Sequence, residues 1–471
     1  MNALMLAGSR RAKSLLLYTA LVGMTAAPAW AQVAPVPGPM PAAPKPKPQR
    51  PTAPAPAADT PSPDDPDFAP DEQQPSEAAP APAPLPPAIW DLVSAEDLLN
   101  YIRQVGLEGL DPADYDPDGL QTALATRDPL LVSAAATQRF NQLSSDLALG
   151  HVKKAARVDW YIVDKDLDDQ AQDALLRSAL LRHDIATTLN ALLPTHPQYA
   201  ALKSALAVTP ADDVRERDRI RLNMDRWRWL PRDLGEKYII VNVPSFHATL
   251  VEGGMNRWKE RAIAGKLSTP TPQLSAVATG VILNPWWEVP KSIEKEAAGK
   301  KGFVPVKGED GKVQRWRQPP GPTNALGQIK FVMPNSKAIY LHDTNARSRF
   351  NDSVRALSHG CVRTQHILDL ATELLGDDGG TWTPDRIQAA LKSKKTVQAK
   401  FVKPVPVYIV YFSQAALVDG KIVDYRDMYG RDPKAVAALN MNDGGASLGA
   451  KPKQEVAGQA KSKRKDQVAT R

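Results

Sequence analysis

The sequence predicts an α+β protein, in which an α-helical domain precedes a β-rich domain. Apolar residues recur at helical spacing in the first half of the predicted folded region, for example over residues 133–149. From Lys237 onward the apolar period changes to that of strands, as in residues 238–243. A Pro/Ala-rich stretch precedes the two domains and a basic tail follows them.

The first 31 residues have the pattern of a secretory signal peptide. A basic start and a short apolar run over residues 15–23 lead to an Ala29-Trp30-Ala31 cleavage motif. Because that run is too short for a confident membrane span, the sequence predicts an exported protein with no stable span after cleavage. Residues 32–88 contain almost no large apolar side chains, so this linker is predicted to be disordered.

The next region is predicted to be a helical domain without chemistry of its own. Helices are predicted over residues 94–105, 133–149, 171–181, 184–193 and 213–225. The last of these leads into the run RWRWLP at residues 226–231. Such a run could be a carbohydrate-stacking surface, but a helix end that clamps two domains together is the more common use of these residues.

The β-rich domain is predicted to be antiparallel, with one helix after its central motif. Strands are predicted over residues 238–243, 248–252, 260–265, 276–283, 328–332, 338–341 and 405–412, and the helix over residues 364–375. Residues 290–322 lack periodicity and are predicted to be an unstructured flap. The folded part is predicted to end by residue 432, leaving 433–471 as a disordered basic tail.

The formal net charge of +7 comes mainly from the signal peptide and the tail. The folded body is therefore close to neutral, and the sequence predicts no nucleic-acid surface.

The only cysteine of the 471 residues, Cys361, lies in the run SHGCVR at residues 358–363. A single cysteine excludes a disulfide within the chain, and the alternative of a buried apolar cysteine fits this polar setting poorly. A thiol is largely protonated at neutral pH and needs a nearby base or cation to act as a nucleophile. The sequence offers His342, His359 and Arg363 for this purpose. Gly360 allows a sharp turn whose backbone N–H groups are predicted to face an oxyanion.

His342, the fifteen residues 343–357 and then SHGCVR resemble the signature of the L,D-transpeptidases, the YkuD-type peptidoglycan cross-linking enzymes. The runs NPWWEVPKSI, RQPPGPTNALGQIKF, MPNSKAIYLHDT and DMYGRD extend this resemblance along the chain. It implies a helical scaffold domain joined to a β-rich YkuD-type catalytic domain. The predicted organisation is signal peptide 1–31, linker 32–88, scaffold domain 89–222, catalytic domain 223–432 with a flap at 290–322, and tail 433–471.

The resemblance assigns Cys361 as the nucleophile and His342 as its base. His359, which is closer in sequence, is the alternative base, and otherwise an oxyanion or orienting group. Ser358 and Arg363 would steady the loop or bind a stem-peptide carboxylate. Three further positions complete the predicted substrate site: Gly360, Tyr340 and Trp287. The remaining histidines form no ligand-spaced cluster, so neither a metal nor another cofactor is predicted.

The implied function is periplasmic L,D-transpeptidation. The enzyme would capture a tetrapeptide stem as a Cys thioester, release D-alanine and join the stem to a diaminopimelate amine of a neighbouring stem. Carbapenems would be covalent inhibitors. Two alternatives remain: a carboxypeptidase or amidase that hydrolyses the same bond, and a non-catalytic wall-binding protein.

Overall fold

The computed structural model describes residues 86–417 and 421–441. The predicted signal peptide, nearly all of the predicted linker and the tail beyond residue 441 lie outside these residues. A helical half precedes a β-rich half, which confirms the predicted fold class. Within the described ranges, no helix combines the length and the apolar character that crossing a bilayer requires.

Seven helices make up the described part of the first half. They are α1 (Leu92–Gln104), α2 (Pro117–Thr126), α3 (Pro129–Leu149), α4 (Asp169–Arg182), α5 (Ile185–Asn190), α6 (Pro197–Val208) and α7 (Val214–Arg228). α1 begins before the predicted residue 94 because the Asp91 carboxylate caps it, accepting from the Ser94 N–H at 2.9 Å. The sequence prediction missed α2 and α6, each of which opens on a proline.

The core of the helical domain lies mainly between α1 and α3. Leu98 and Ile102 of α1 and Phe140, Leu143 and Leu147 of α3 are fully buried in one cluster. Their spacing of three or four residues places them on one face of each helix. The periodicity in the sequence therefore located this core correctly.

The second half contains the strands β1 to β14 and the helices α8 to α11. The strands are β1 (Lys237–Asn242), β2 (His247–Glu252), β3 (Met255–Gly265), β4 (Leu274–Leu283), β5 (Trp287–Glu288), β6 (Val304–Lys307), β7 (Val313–Gln318), β8 (Ile329–Val332), β9 (Leu341–His342), β10 (Ala356–Ser358), β11 (Val362–Thr364), β12 (Val397–Val410), β13 (Gln414–Ala416) and β14 (Ile422–Asp424). The helices are α8 (Glu294–Ala297), α9 (Ile367–Gly376), α10 (Pro384–Ser393) and α11 (Asp432–Leu439).

The main sheet has the strand order β10-β3-β11-β9-β8-β4-β12-β1-β2, and an additional pairing of β2 with β3 closes it on itself. The prediction of an antiparallel sheet is wrong for three pairs, β1 with β12, β9 with β11 and β3 with β10, which are parallel. A parallel neighbour needs a connection that returns to the same end of the sheet, and strand periodicity carries no information about that return.

Side chains alternate between an apolar and a polar face across the strands that carry the predicted site. Ile329, Phe331, Leu341 and Val362 point into the main core, where α9 also packs. Successive residues of a strand point to opposite faces, so the residues between and beside these four lie on the other face.

The predicted flap, residues 290–322, is not unstructured. It contains α8, β6 and β7, and β7 pairs with both β5 and β6 in a separate three-stranded sheet. Val289, Ile293 and Ala297 form its small buried core, against which Trp316 packs. The prediction failed here because the strands are only four and six residues long and lie in a segment rich in Lys, Gly and Pro, which shows no clear apolar periodicity.

The RWRWLP run joins the two domains. Trp227 and Trp229 at the end of α7 are buried in a cluster that also contains Tyr199 of α6 and Tyr408 of β12. The Trp227 ring stacks on Phe412 with a centroid distance of 4.5 Å. This arrangement is the clamp that the sequence predicted rather than an open sugar-binding surface.

The fold continues beyond residue 432, where the sequence predicted a disordered tail. α11 packs on α7, with Ala435 and Leu439 buried in the same cluster as Ile220. Asn440 accepts a hydrogen bond from Arg221 at 2.8 Å. The sequence prediction missed α11 because a helix of two turns with few apolar side chains shows too little periodicity to be distinguished from the basic tail that follows it.

Candidate active site

The predicted nucleophile lies in the tight turn between β10 and β11. Ser358 is buried and its Oγ crosses the turn, accepting from the Gly360 N–H at 3.1 Å and donating to the Cys361 carbonyl at 2.5 Å. Gly360 has a φ of +117°, a conformation that residues with a Cβ rarely adopt. The turn therefore depends on glycine, and the serine hydroxyl braces it.

The hydrogen bond to Ser358 corrects one expectation. The Gly360 N–H was predicted to face an oxyanion, but it donates to Ser358 Oγ instead. Within residues 86–417 and 421–441 the Cys361 N–H has no hydrogen-bond partner. The N–H of Cys361 is therefore available as an oxyanion donor.

We expect Ser358→Ala to lower the free energy of unfolding by about 1–3 kcal/mol, because it leaves the buried Gly360 N–H and the partly buried Cys361 carbonyl without their partner. Urea unfolding of the two proteins measures this loss. Ser353 is an exposed serine in the connection between β9 and β10. It offers the matched control Ser353→Ala, for which we expect no comparable change. Equal stability of Ser358→Ala and the wild type would show that the brace contributes nothing.

His342 lies on β9, directly beside the nucleophile strand. β9 pairs with β11 in parallel, with His342 opposite Arg363 and Leu341 opposite Val362. Since Leu341 and Val362 face the core, alternation places His342 and Arg363 on the opposite face. Cys361, in the turn directly before β11, shares the charged neighbours Lys330 and Arg363 with His342. The fold thus brings the two groups to one cluster of charged side chains, although many residues separate them in sequence.

Tyr340 lies close to both His342 and Cys361. Its ring centroid lies 5.5 Å from that of His342 in an edge-on arrangement. The backbone carbonyl of Tyr340 accepts from the Val362 N–H at 3.1 Å, which places this residue beside the nucleophile turn. Burial raises the pKa of the Tyr340 phenol well above its ordinary value, and the neighbouring Cys361 raises it further, while a hydrogen bond with Trp287 lowers it. The predicted pocket residues Tyr340 and Trp287 therefore meet beside Cys361.

Two cations flank these groups. Lys330 of β8 pairs in register with His342, and its Nζ lies 4.1 Å from the centroid of the Tyr340 ring. Arg363 lies on the other side of His342, on β11. The sequence analysis did not select Lys330. Its position between the core residues Ile329 and Phe331 in a strand was a usable signal, because alternation places it on the polar face.

Burial and the nearby positive charges shift the pKa values of both predicted catalytic groups, His342 and Cys361. Burial and the positive charges of Arg363 and Lys330 lower the pKa of His342 to about 3. Burial raises the pKa of the Cys361 thiol, although Tyr340, Lys330 and Arg363 lower it in part. The buried His342 Nδ1 has no hydrogen-bond partner among the described residues. Both shifts favour the uncharged forms of the two groups, a thiol and a neutral imidazole, over an ion pair.

His359 has different neighbours. Its Nε2 lies 3.2 Å from Lys266 Nζ, in the β3–β4 connection, and 3.3 Å from Glu296 Oε1 of α8. These contacts direct the ring towards Glu296 of the flap. His342 is the histidine that shares the charged neighbours Lys330 and Arg363 with the thiol.

Comparison with known proteins agrees with this geometry. Residues 236–407 match the sequence model of the YkuD family, the L,D-transpeptidase catalytic domain. The chain carries a YkuD-type L,D-transpeptidase catalytic domain. Residues 90–206 match the model of the scaffold domain. Together these matches confirm the family and the two-part architecture that the sequence predicted.

A Haemophilus influenzae protein named "Putative L,D-transpeptidase" is 34% identical over 240 residues. That match covers 45% of this chain and 48% of the relative, so the chain spans about half the length of the curated relative it matches. Among solved structures, an L,D-transpeptidase from Mycobacterium smegmatis overlaps with a TM-score of 0.20 at 15% identity, covering 37% of this chain and 58% of that one. An Enterococcus faecium L,D-transpeptidase mutant overlaps with a TM-score of 0.22 at 12% identity, covering 39% and 52%.

Proposed function

We propose that this protein is a peptidoglycan L,D-transpeptidase that works through a Cys361 thioester. The observation that carries the proposal is that Cys361 and His342 share the neighbours Tyr340, Lys330 and Arg363 within a domain that matches the L,D-transpeptidase model. The signal-peptide pattern, which lies outside the described residues, supports a periplasmic location, where stem peptides would be the donor and the acceptor.

In the first half-reaction, Cys361 Sγ attacks the carbonyl that joins diaminopimelate to D-alanine in a tetrapeptide stem. The thiol proton passes to His342, and the Cys361 N–H donates to the oxyanion that forms. When the tetrahedral intermediate collapses, the carbon–nitrogen bond breaks and the imidazolium returns the proton to the leaving amine of D-alanine. The stem is then held as a thioester.

In the second half-reaction, the side-chain amine of a diaminopimelate in another stem attacks the thioester. His342 accepts the amine proton and returns it to the sulfur as the carbon–sulfur bond breaks. The new amide joins the two stems, and the thiol is restored. Water competes with the amine at this stage, so covering the site favours transfer over hydrolysis. Two interactions support the flap as that cover: Trp287, three residues before the flap, hydrogen-bonds with Tyr340, and Glu296 of α8 contacts His359.

The two cations give the substrate a role in activating the base. Arg363 and Lys330 lower the pKa of His342 in the unliganded site. A stem-peptide carboxylate bound to either of them would neutralise that charge and make His342 a stronger base. Substrate binding and proton transfer are thereby coupled. The thiol is then activated less when no substrate is bound, which limits its side reactions.

Incubation of the purified protein with tetrapeptide muropeptides tests the proposal. Cross-linked dimers with release of D-alanine are the expected products. Tripeptide monomers alone would identify a carboxypeptidase instead. The absence of both products, together with no covalent adduct on Cys361 after carbapenem treatment, would favour a non-catalytic wall-binding protein.

A further inference from the structure

Thr271, in the connection between β3 and β4, is buried directly behind the nucleophile turn. Its side chain is fully buried, and its Oγ1 donates to the Gly360 carbonyl at 2.7 Å while accepting from the Gly265 N–H at 2.8 Å. Its own N–H donates to the Tyr429 hydroxyl at 3.2 Å. Thr271 is thus held on three sides and in turn holds the residue before Cys361.

The Gly360 carbonyl and the Cys361 N–H belong to the same peptide group. This group is planar and trans, so the two bonds point in opposite directions. A hydrogen bond that anchors the carbonyl towards Thr271 therefore turns the Cys361 N–H away from Thr271. The Gly360 N–H is already bonded to Ser358, whereas the anchored Cys361 N–H is free to donate to an oxyanion.

The anchor continues into the scaffold half of the chain. Arg431 is buried between the rings of Tyr411 and Tyr429, with its guanidinium carbon 4.9 Å from each centroid. Its Nη2 donates to the Thr271 carbonyl at 3.0 Å and to Asp159 Oδ2 at 2.7 Å. Asp159 precedes Trp160, which forms a bridge with Gln273.

This connection gives the DMYGRD run a place in the molecule. Tyr429 and Arg431 are its third and fifth residues, and both contact Thr271. Asp427, its first residue, accepts from the Arg431 N–H at 2.9 Å and from the Tyr411 hydroxyl at 2.6 Å. The run therefore forms a rigid support between the segment around Asp159 and the nucleophile turn.

We propose that Thr271 is a positioning residue that orients the Cys361 N–H as oxyanion donor, and that Asp159 of the scaffold half supports it through Arg431. The proposal rests on the acyl transfer inferred above. It assigns the scaffold half a part in catalysis, because a group outside the catalytic domain holds the geometry of the nucleophile turn.

Two reactions of Cys361 separate this role from general support of the fold. Acylation by a carbapenem passes through an oxyanion, whereas alkylation by iodoacetamide is a direct displacement at carbon and forms none. For Thr271→Val, which keeps the shape but removes the hydroxyl, we expect the acylation rate constant to fall roughly tenfold or more, since loss of one oxyanion donor costs about 10²–10³-fold. The alkylation rate should stay close to that of the wild type. Thr271→Ser, which keeps the hydroxyl, should restore acylation.

Asp159→Asn tests the scaffold end. Asp159 has a φ of +50°, which asparagine tolerates, so the substitution removes the charge without straining the backbone. Asp173 is the matched control, because it pairs with Arg177 at the same 2.7 Å and its side chain is 35% exposed, against 37% for Asp159. We expect Asp159→Asn to slow acylation about threefold and to leave alkylation unchanged. A weaker contact with Arg431 would hold Thr271 less firmly, and the Cys361 N–H would then be aligned less well with the oxyanion. Asp173→Asn should match the wild type.

The inference is overturned if Thr271→Val slows both reactions equally or neither of them. If that variant does not fold, Asp159→Asn decides, and acylation equal to that of Asp173→Asn overturns the inference. Failure of the proposed function looks different, because the wild-type protein itself would then form no carbapenem adduct. If the wild type forms the adduct and the variants keep the wild-type ratio of acylation to alkylation rate constants, only the positioning role is refuted.

Discussion

Cys361→Ala should abolish both the carbapenem adduct and the cross-linked muropeptide dimer. Cys361 is the only thiol in the chain, and the polar face beside it offers no second nucleophile of comparable strength. Loss of a nucleophile typically lowers turnover by several orders of magnitude, so we expect activity to fall roughly 10³-fold or more, to the background of the assay. Intact-mass spectrometry and muropeptide chromatography measure the two losses.

The fold must survive for this result to be informative. Cys361 is half-buried at a turn, so its truncation to alanine should leave the free energy of unfolding within about 1 kcal/mol of the wild type. The Ser353→Ala variant, treated in parallel, should keep full activity. A carbapenem adduct that persists in Cys361→Ala would place the nucleophile elsewhere and refute the proposed mechanism.

The second large effect is expected for His342→Gln. The glutamine remains polar in a buried site but cannot accept the thiol proton. General-base catalysis contributes about 10²–10⁴-fold, and we expect the acylation rate constant to fall within this range. His366 offers the control His366→Asn: its side chain is 56% exposed and its φ of +49° suits asparagine. That variant should acylate like the wild type.

The pH dependence separates His342 from an ordinary histidine. Its pKa is lowered to about 3, so the neutral base form persists as the pH falls from 7 to 5. The rate constant for carbapenem acylation of the free wild-type enzyme should therefore stay flat over this range and decline only as the pH approaches 3. A base with the usual pKa of about 6.5 would already lose more than tenfold at pH 5. Such a loss in protein that is still folded would contradict the environment described for His342.

The helical half was predictable wherever local spacing carried the information. The predicted helix over residues 133–149 corresponds to α3, whose buried face follows the apolar period. α2 and α6 were missed because their apolar faces are short and their starts depend on proline and the residue before it. α11 was missed for a related reason, since its burial depends on the α7 surface that it meets.

At the site, local motif and tertiary position contributed different facts. The run SHGCVR was sufficient to select the nucleophile turn, because glycine and serine are needed there for backbone reasons. Strand alternation could place Lys330 on the polar face, but its position beside His342 was hidden, since only the pairing of β8 with β9 brings the two residues together. Thr271 and Asp159 were equally hidden, because their roles depend on hydrogen bonds across long sequence separations.

The sequence by itself determined the chemistry that is available, one thiol and two candidate bases, and the order of a helical half before a β-rich half. Those properties depend on residue type and short-range spacing, which a chain carries before it folds. Only the tertiary structure showed the neighbours of each histidine: the parallel β9–β11 pair sets His342 opposite Arg363, beside the turn that carries Cys361, while His359 contacts Glu296 and Lys266. It also decided which backbone N–H remains open, because a hydrogen bond can occupy a donor only once both partners have been brought together.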